Sequence, residues 1–299
     1  MTVTELPTGS TTSALPLPWT GERCVPESAP ADVLYEHVHR YLFARELSRS
    51  ADVLDIGCGE GYGAALLAST SLSVTGIDVD ADVVAHAAAK YGAPNLRFLR
   101  GTAGELDGCE DHAFDVAVCF EMIEHVSDHE ALLRNVSRVL RPGGFLVIST
   151  PDREVSSAHG QHNPYHVREL SIAEFRTLLD GHFLRHLLYT QRLSLGSYMA
   201  AIDGARDGSA SLEFSGHRDR GGWAADGNDL PPYVIAVAGD GELPSLPASS
   251  VLLDTHRELL ARALETEDLR RRLEELAARH NAVISTRWWG LRERLRRLR

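Results

Sequence analysis

The chain has 299 residues, of which 43% are hydrophobic and 24% are charged, a balance typical of folded globular proteins. Its formal net charge of −12 argues against a general nucleic-acid-binding protein, because such proteins need a basic surface to neutralise phosphates. No stretch approaches the roughly 20 apolar residues of a membrane-spanning helix, so none is predicted.

The residue pattern divides the chain into three regions. Residues 1–30 lack the basic and apolar blocks of a signal peptide and predict a flexible N-terminal arm. Residues 31–240 predict one α/β domain: from 31 to about 150, short β-branched runs alternate with helical patterns, which predicts a parallel sheet with helices on both faces. Residues 251–299 are rich in Leu, Glu and Arg and predict a C-terminal α-helical extension.

Seven apolar runs in the α/β region predict strands, at 51–57, 72–79, 95–101, 114–120, 143–150, 182–193 and 231–239. A helix predicted over 128–140 stops at the sequence 141–144, which contains Pro and two Gly. Ser171 and Glu174 have the spacing of a capping box and predict the start of another helix. Residues 203–230 are rich in Gly and Asp and predict a long loop that is either functional or disordered.

The sequence "VLDIGCGEGYG" places Gly57, Gly59 and Gly61 between a predicted strand and a predicted helix. Such a turn lets backbone N–H groups approach a ligand at the positive end of a helix, although a glycine turn alone can be purely structural. Asp78 ends the next strand, where its carboxylate can accept hydrogen bonds from ribose hydroxyls. Strand, loop, helix and acid in this order predict a nucleoside-containing cofactor.

Four stretches, "LDIGCGEG", "GIDVD", "FDVAVCFEMIEHV" and "LRPGGFLVISTP", resemble the ordered motifs of class I S-adenosylmethionine-dependent methyltransferases. The resemblance implies a Rossmann-like seven-stranded sheet and S-adenosylmethionine as the cofactor. The cofactor-binding residues that it implies are Asp55, Gly57, Gly59, Gly61, Asp78, Val79, Thr102, Ala103 and Phe120.

The stretch "RGTAGEL" departs from this family pattern at the expected adenine contacts. The family often has Gly-Asp-Ala after the third strand, whereas this chain has Gly101-Thr102-Ala103. The hydroxyl of Thr102 would accept a weaker hydrogen bond than a carboxylate, which leaves the Ala103 backbone to contact the ring edge.

Glu121, Glu124 and His125 follow the fourth predicted strand, at the carboxyl edge of the sheet where open α/β folds bind ligands. If a helical turn begins there, this spacing places the three side chains on one side. Two carboxylates and an imidazole suit a divalent ion such as Mg²⁺ or Mn²⁺. Acidic residues are also favoured at helix N-termini for electrostatic reasons alone, so the pattern has a structural alternative.

The E-x-x-E-H pattern, followed by "NPYHVREL", resembles two metal-dependent branches of the family. These are the small-RNA 3′-terminal 2′-O-methyltransferases and, more loosely, the ubiquinone-pathway O-methyltransferases. The resemblance implies the metal ligands Glu121, Glu124, His125 and His166. The predicted catalytic residues are His125, His166 and Glu121, and either histidine would become the general base if no metal binds.

The stretches "WTGERCVPE", "EHVHRYLFA", "NPYHVREL" and "TQRLSLGS" resemble bacterial methyltransferases encoded with glycosyltransferases. This resemblance implies a sugar hydroxyl in a glycan or a glycosylated metabolite as the acceptor. Three alternatives stay open: a terminal ribose of RNA, which the net charge disfavours, a small aromatic, quinone or other natural product, and a non-catalytic binding protein. The helix "EHVHRYLFA" is either a lid with Tyr41 facing the cofactor or a packing helix.

Leucines in the C-terminal region recur near heptad spacing, which predicts either a helix packed on the domain or a coiled coil that forms a homo-oligomer. The last 13 residues hold six Arg and one Glu and are typical either of an amphipathic helix at an anionic membrane surface or of a solvated basic tail.

The four cysteines have no metal or redox spacing and predict reduced thiols; they are Cys24, Cys58, Cys109 and Cys119. Reduced thiols are typical of cytoplasmic proteins, so we expect a cytoplasmic location. If the C-terminal end is an amphipathic helix, we also expect it to contact the inner surface of the membrane.

Overall fold

The computed structural model of the protein describes residues 17, 21, 23–158, 163–194, 215–217, 222–224, 231–284 and 296. These residues fall into two compact units, one that extends to Leu252 and one that begins at Leu253. None of the described helices is long and apolar enough to cross a lipid bilayer.

The first unit contains the strands and all but one of the described helices. Its strands are β1 (Asp52–Ile56), β2 (Ser73–Asp78), β3 (Leu96–Arg100), β4 (Phe114–Phe120), β5 (Leu140–Pro151), β6 (Arg185–Gln191), β7 (Ser215–His217), β8 (Gly222–Ala224) and β9 (Tyr233–Gly239). Its helices are α1 (Ala31–Leu47), α2 (Tyr62–Ala68), α3 (Ala81–Lys90), α4 (His129–Val139), α5 (Arg153–Ala158) and α6 (Ile172–Asp180). A 3₁₀ turn spans Ile123–His125.

Seven strands form one mixed sheet in the order β3-β2-β1-β4-β5-β9-β6. The pairs from β3 to β5 are parallel, and β9 is antiparallel to both β5 and β6. The strand order reverses between β1 and β4, which is the position where open α/β sheets bind their ligands. The seven-stranded methyltransferase sheet predicted from the sequence is confirmed.

Two hydrophobic clusters cover the two faces of this sheet. Val53 and Leu54 of β1 belong to different clusters, because consecutive side chains of a strand point to opposite faces. Residues of α4 and α6 complete the cluster of Leu54, and residues of α1 and α2 complete the cluster of Val53. Burial on both faces explains why β1, β4 and β9 are nearly continuous apolar runs in the sequence.

The region around Pro142 differs from the prediction. Helix α4 ends at Val139, and β5 begins at Leu140 rather than at Gly143. Leu140 pairs with Phe114, and the register then shifts before Val116, so the Pro-Gly sequence lies in an irregular part of the strand. A bulge of this kind accommodates residues that would interrupt a regular ladder.

Other local predictions can be compared with the described residues. The capping box of Ser171 and Glu174 is present at the start of α6. The predicted loop over 203–230 contains the short antiparallel pair β7 and β8, which is too brief to leave a periodic pattern. Cys24 and Val25 are buried, so this end of the segment predicted as an arm packs against the domain.

The second unit contains α7 (Glu258–Ile284), as expected for the predicted helical extension. Leu269, Leu273 and Leu276 of this helix are exposed by 57%, 68% and 66%. Coiled-coil pairing of α7 stays a prediction, and the predicted basic amphipathic end lies outside the described residues except for Arg296.

Candidate functional site

A cavity of about 590 Å³ lies at the carboxyl edge of the sheet. It is lined by residues that follow β1 to β4, such as Gly57, Asp78, Gly101 and Glu121, so it coincides with the reversal of strand order. Side chains from α1 and from the segment 163–169 complete its wall. The cavity therefore joins the predicted cofactor loop to the predicted metal ligands.

The glycine loop after β1 has a backbone that requires glycine. Gly57, Gly59 and Gly61 have φ angles of 72°, 52° and 99°, in the left-handed region that other residues rarely adopt. A Cβ atom on Gly57 would lie 2.8 Å from the sulfur of Met122. The main chain can therefore approach a ligand closely at Gly57 and Gly59, which both line the cavity.

Asp78 connects the end of β2 to this loop. Its Oδ2 accepts a hydrogen bond from the Gly59 amide and its Oδ1 accepts one from the Asp80 amide, each at 3.0 Å. Every carboxylate oxygen has two lone-pair positions, so both oxygens can also accept a hydrogen bond from a ligand hydroxyl. The carboxylate lines the cavity beside Val79. This arrangement fits the ribose of a nucleoside cofactor.

The structure places six of the predicted cofactor residues on the cavity wall and three away from it. Those on the wall are Gly57, Gly59, Asp78, Val79, Ala103 and Phe120. Asp55, Gly61 and Thr102 are not among the described residues that line the cavity. Gly61 instead caps α2 and packs against Ala87 and Phe98. Thr102 is exposed, and its carbonyl accepts from the Leu106 amide at 2.9 Å in a turn.

Asp55 lies beneath the loop, where it is fully buried. Its two carboxylate oxygens accept hydrogen bonds from the Tyr41 hydroxyl at 3.2 and 3.3 Å. The pKa of Asp55 is raised to about 7, mainly by burial, which the hydrogen bond from Tyr41 opposes and the nearby charge of Asp78 reinforces. Tyr41 also lines the cavity, as the lid interpretation of α1 expects, but Tyr41 is itself buried in the packing of that helix.

Three of the four predicted metal ligands come together at the other end of the cavity. Glu124, His125 and His166 each offer one ligand atom, and these atoms lie within 4.8 Å of one another. The backbone carbonyl of Glu124 accepts from the amides of Val167 and Arg168 at 2.8 and 3.1 Å. These two hydrogen bonds bring the segment that carries His166 onto the 3₁₀ turn.

Glu121 lines the same cavity but stands apart from this group. Its φ of 48° is unusual for a residue other than glycine and is not helical. The helical turn therefore starts after Glu121, at Ile123, and does not place Glu121 on the same side as Glu124 and His125. The Ser149 hydroxyl accepts from the Glu121 amide at 3.1 Å and donates to its carboxylate at 2.6 Å. The Arg40 guanidinium lies 3.9 Å from the same carboxylate oxygen. Glu121 is thus held by its own partners.

Glu124 is the most deeply buried acid of the group, with 1% of its surface exposed. Its Oε2 accepts a long hydrogen bond from Thr150 at 3.4 Å, and its Oε1 has no hydrogen-bond partner among the described residues. Burial raises the pKa of Glu124 well above its ordinary value, and the charge of Glu121 adds to this effect. A buried carboxylate oxygen without a partner is costly, and a bound cation would satisfy it.

The two histidines are oriented through their Nδ1 atoms. His125 Nδ1 lies 2.9 Å from the Tyr165 carbonyl oxygen, and His166 Nδ1 lies 2.5 Å from Oε1 of Glu169. These acceptors place the proton on Nδ1 in each ring and leave Nε2 as an acceptor. The Asn163 amide nitrogen is 2.9 Å from His166 Nε2 and donates to it, so an ion bound by this nitrogen would replace that hydrogen bond. An imidazole held by a carboxylate in this way is the usual arrangement of a metal-binding histidine.

Sequence reasoning missed several residues of this site. Glu169 follows His166 by three positions in "HVRE", and this spacing was an available local signal. Arg40 is buried and donates to Gln191 at 2.7 Å, a pair separated by 151 residues. No local pattern identifies Arg40 or Ser149, because only the folded sheet brings them to Glu121.

Comparisons with known proteins agree with this architecture. Residues 54–148 match the family model described as a methyltransferase domain. A protein of Mycolicibacterium smegmatis, named probable S-adenosylmethionine-dependent methyltransferase, is 41% identical over 263 residues, which cover 86% of this chain and 99% of that protein.

Two other relatives match over shorter parts. A Mycobacterium tuberculosis H37Rv protein, also named probable S-adenosylmethionine-dependent methyltransferase, is 37% identical over 178 residues, or 58% of this chain and 63% of the relative. The ubiquinone biosynthesis O-methyltransferase of Rickettsia conorii is 36% identical over 104 residues, or 34% of this chain and 35% of the relative. The sheet, the glycine loop and the near full-length M. smegmatis relative together show that the chain belongs to the S-adenosylmethionine-dependent methyltransferases.

Proposed function

We propose that this methyltransferase transfers the methyl group of S-adenosylmethionine to a hydroxyl group of a sugar, with a divalent metal ion held by Glu124, His125 and His166. The observation that carries the proposal is that these three side chains line the same cavity as the glycine loop and Asp78. The cofactor and an acceptor bound at the histidine end would therefore share one enclosed space.

The glycine-loop end of the cavity has the groups that the cofactor needs. The backbone of Gly57 and Gly59 would contact the amino acid part, and the Asp78 carboxylate would accept from the ribose hydroxyls. Ala103 and Phe120 offer apolar surface for the adenine ring. When bound, S-adenosylmethionine supplies an electrophilic methyl group on a positively charged sulfur.

The histidine end of the cavity has the groups that a divalent ion needs. One carboxylate and two imidazoles form a mixed oxygen and nitrogen donor set, which suits Mn²⁺, Mg²⁺ and related ions. The unpartnered Oε1 of Glu124 and the Glu169 carboxylate behind His166 support this assignment. A bound ion would lower the pKa of a coordinated hydroxyl group and orient it toward the methyl group.

Several features support a neutral sugar hydroxyl as the acceptor. Glu121 and Glu169 line this end of the cavity, and their carboxylates disfavour a phosphate-rich acceptor such as RNA. A metal ion can bind two neighbouring hydroxyl groups at once, and hexoses present such pairs. Oxygen as the acceptor atom agrees with the name of the O-methyltransferase relatives. The acceptor would then belong to a glycan or to a glycosylated metabolite.

The test measures S-adenosylhomocysteine release by the purified full chain with methyl glycosides, nucleotide sugars, catechols and short RNAs. Each acceptor is assayed after EDTA treatment and again after Mn²⁺ or Mg²⁺ is restored. We expect turnover with a glycoside that EDTA abolishes and a metal restores. Glycoside turnover that EDTA leaves unchanged would contradict the metal role and make His125 or His166 the general base.

A variant pair separates loss of the metal from loss of the fold. Glu124→Gln removes the charge of the buried ligand but keeps its shape, and we expect it to abolish Mn²⁺ binding in calorimetry. Glu154→Gln changes a surface carboxylate at the start of α5 and should bind Mn²⁺ like the wild type. Turnover confined to catechols or to RNA would overturn the assignment of the acceptor.

A further inference from the structure

Tyr165 belongs to the segment that holds the histidines in place. Its carbonyl oxygen accepts from His125 Nδ1 at 2.9 Å, and its amide donates to the Asn163 side chain at 3.0 Å. The amide of His166 donates to the Asn163 carbonyl, and the amides of Val167 and Arg168 donate to the carbonyl of Glu124. The main chain of Tyr165 is thus fixed on both sides relative to the proposed metal ligands.

The side chain of Tyr165 has no comparable role in the fold. It is 44% exposed and lines the cavity. Within the part of the chain that the structure describes, its hydroxyl has no hydrogen-bond partner. A large, partly exposed aromatic ring at the cavity wall whose hydroxyl is not used by the fold indicates a surface that a ligand can cover.

The other aromatic rings at the cavity are already used by the packing. Tyr41, Tyr62 and Phe120 are buried, and Tyr41 contacts Phe120 and Tyr62 edge to face, with ring centroids 5.1 and 5.5 Å apart. The guanidinium of Arg40 lies over the ring of Tyr233, 4.8 Å from its centroid, and therefore covers one face of that ring. Tyr165 differs from these four rings because it is 44% exposed and makes no aromatic or cation–π contact with the other described residues.

We propose that the ring of Tyr165 is the stacking surface for the acceptor, a hexopyranoside that presents two neighbouring hydroxyl groups to Glu124, His125 and His166. This inference rests on the proposed function and adds the residue that selects the sugar ring. A pyranose carries its hydroxyl groups around its edge and C–H groups on its faces. A site that binds the edge through polar ligands therefore needs an apolar surface for one face, and an aromatic ring provides it.

The experiment compares Tyr165→Ala, Tyr165→Phe and Tyr165→Trp in the full chain. We expect Tyr165→Ala to raise the KM for the methyl glycoside by about ten-fold, which corresponds to about 1.4 kcal/mol, while kcat changes much less. Tyr165→Phe and Tyr165→Trp should keep the wild-type KM, because stacking needs the ring and not the hydroxyl. Calorimetry should give all variants the wild-type affinity for S-adenosylhomocysteine, which shows that they are folded.

Saturation-transfer NMR with the same glycoside gives a readout that does not depend on turnover. The C–H protons on one face of the sugar should receive saturation in the wild type and in Tyr165→Phe, and lose it in Tyr165→Ala. Val167→Ala is the control, because Val167 is exposed by 63% on the same segment and is not among the described residues that line the cavity.

Three results would overturn the proposal. One is an unchanged KM and unchanged saturation in Tyr165→Ala, which leaves the proposed function intact. Another is an equal loss in Tyr165→Phe and Tyr165→Ala, which would assign the effect to the hydroxyl. The third is a wild-type protein that neither binds nor methylates any glycoside, in which case the proposed acceptor and the stacking role fail together.

Discussion

The Nδ1 atom of His166 lies 2.5 Å from the Oε1 atom of Glu169, three residues further along the chain. A carboxylate in this position fixes the ring orientation of His166 and increases the basicity of its other nitrogen. We therefore expect Glu169→Gln to weaken Mn²⁺ binding by about 10- to 100-fold, as measured by calorimetry with the full chain.

A second histidine and glutamate pair provides the control for this prediction. His182 Nε2 lies 2.5 Å from Glu130 Oε2, and neither residue is among the described residues that line the cavity. Glu130→Gln should leave the affinity for Mn²⁺ unchanged. Equal losses in the two variants would mean that the effect of Glu169 is not specific to the proposed metal site.

Gly63 in α2 lies against the ring of Tyr41. A Cβ atom on Gly63 would be only 2.1 Å from Cζ of that ring, which also packs against Tyr62 and Phe120 and has no room to move. Alanine normally stabilises a helix relative to glycine, but here we expect Gly63→Ala to lower the free energy of unfolding by about 1–3 kcal/mol. Urea denaturation measures this loss.

The control for Gly63→Ala is Gly104→Ala, because a Cβ atom on Gly104 would have no heavy atom within 4 Å. Its free energy of unfolding should stay within about 0.5 kcal/mol of the wild type. A stabilised Gly63→Ala variant would show that the contact between α1 and α2 is looser than the structure describes.

Asp55 predicts a specific pH dependence of stability. Its pKa is about 7 in the folded protein, mainly because it is buried, and about 3.9 in an unfolded chain. Between these values the folded state holds a proton that the unfolded state has released, so stability falls as pH rises from about 4 to about 7. In the wild type this loss reaches about 4 kcal/mol between pH 4 and pH 8, and Asp55→Asn should remove it.

Urea denaturation at several pH values tests this sign. Asp52→Asn is the control on the same strand, because the hydrogen bond from Ser73 holds the pKa of Asp52 below its ordinary value. The stability due to Asp52 is present above about pH 4 and is lost as the pH falls further, so its replacement leaves the slope between pH 4 and 7 unchanged. If the stability of Asp55→Asn fell with pH as steeply as that of the wild type, or more steeply, the pH dependence would not be due to Asp55.

Self-association through α7 stays a prediction, and the helix offers a matched pair of variants to test it. Leu269, Leu273 and Leu276 lie on one face of α7, whereas Leu264, nine residues before Leu273, lies on the opposite face. Leu264 and Leu273 are the two positions to substitute, because their side chains are similarly exposed, at 63% and 68%. Analytical ultracentrifugation should show a dimer that Leu273→Glu dissociates and Leu264→Glu does not. A monomeric wild-type chain would show that the prediction is wrong.

Local patterns were enough to predict the sheet and the cofactor loop. The strands are apolar runs bounded by turn residues, and Gly57, Gly59 and Asp78 follow strand ends at fixed spacing. The resemblance to the family motif placed Asp55 in the cofactor site, although the structure buries it under Tyr41. A sequence motif identifies which residues are near a ligand but not which of them face it.

The metal group could be predicted only in part. Glu124 and His125 are adjacent in the chain, so their proximity was certain, and the resemblance supplied His166. The helical spacing assumed for Glu121 was wrong, because its backbone takes a left-handed conformation that Ser149 stabilises. That contact joins β4 to β5 across the sheet, and no pattern within a few residues encodes it.

The position of β9 affects how the chain folds during its synthesis. Among the described strands, β6 pairs only with β9, which also pairs with β5, so residues 185–191 gain this partner once residues 233–239 have left the ribosome. Contacts between segments this far apart in sequence form slowly, and an unpaired strand edge is prone to aggregation in the meantime. Truncation before residue 233 would leave β5 with one unpaired edge and β6 without its partner, and exposed edges of this kind promote aggregation.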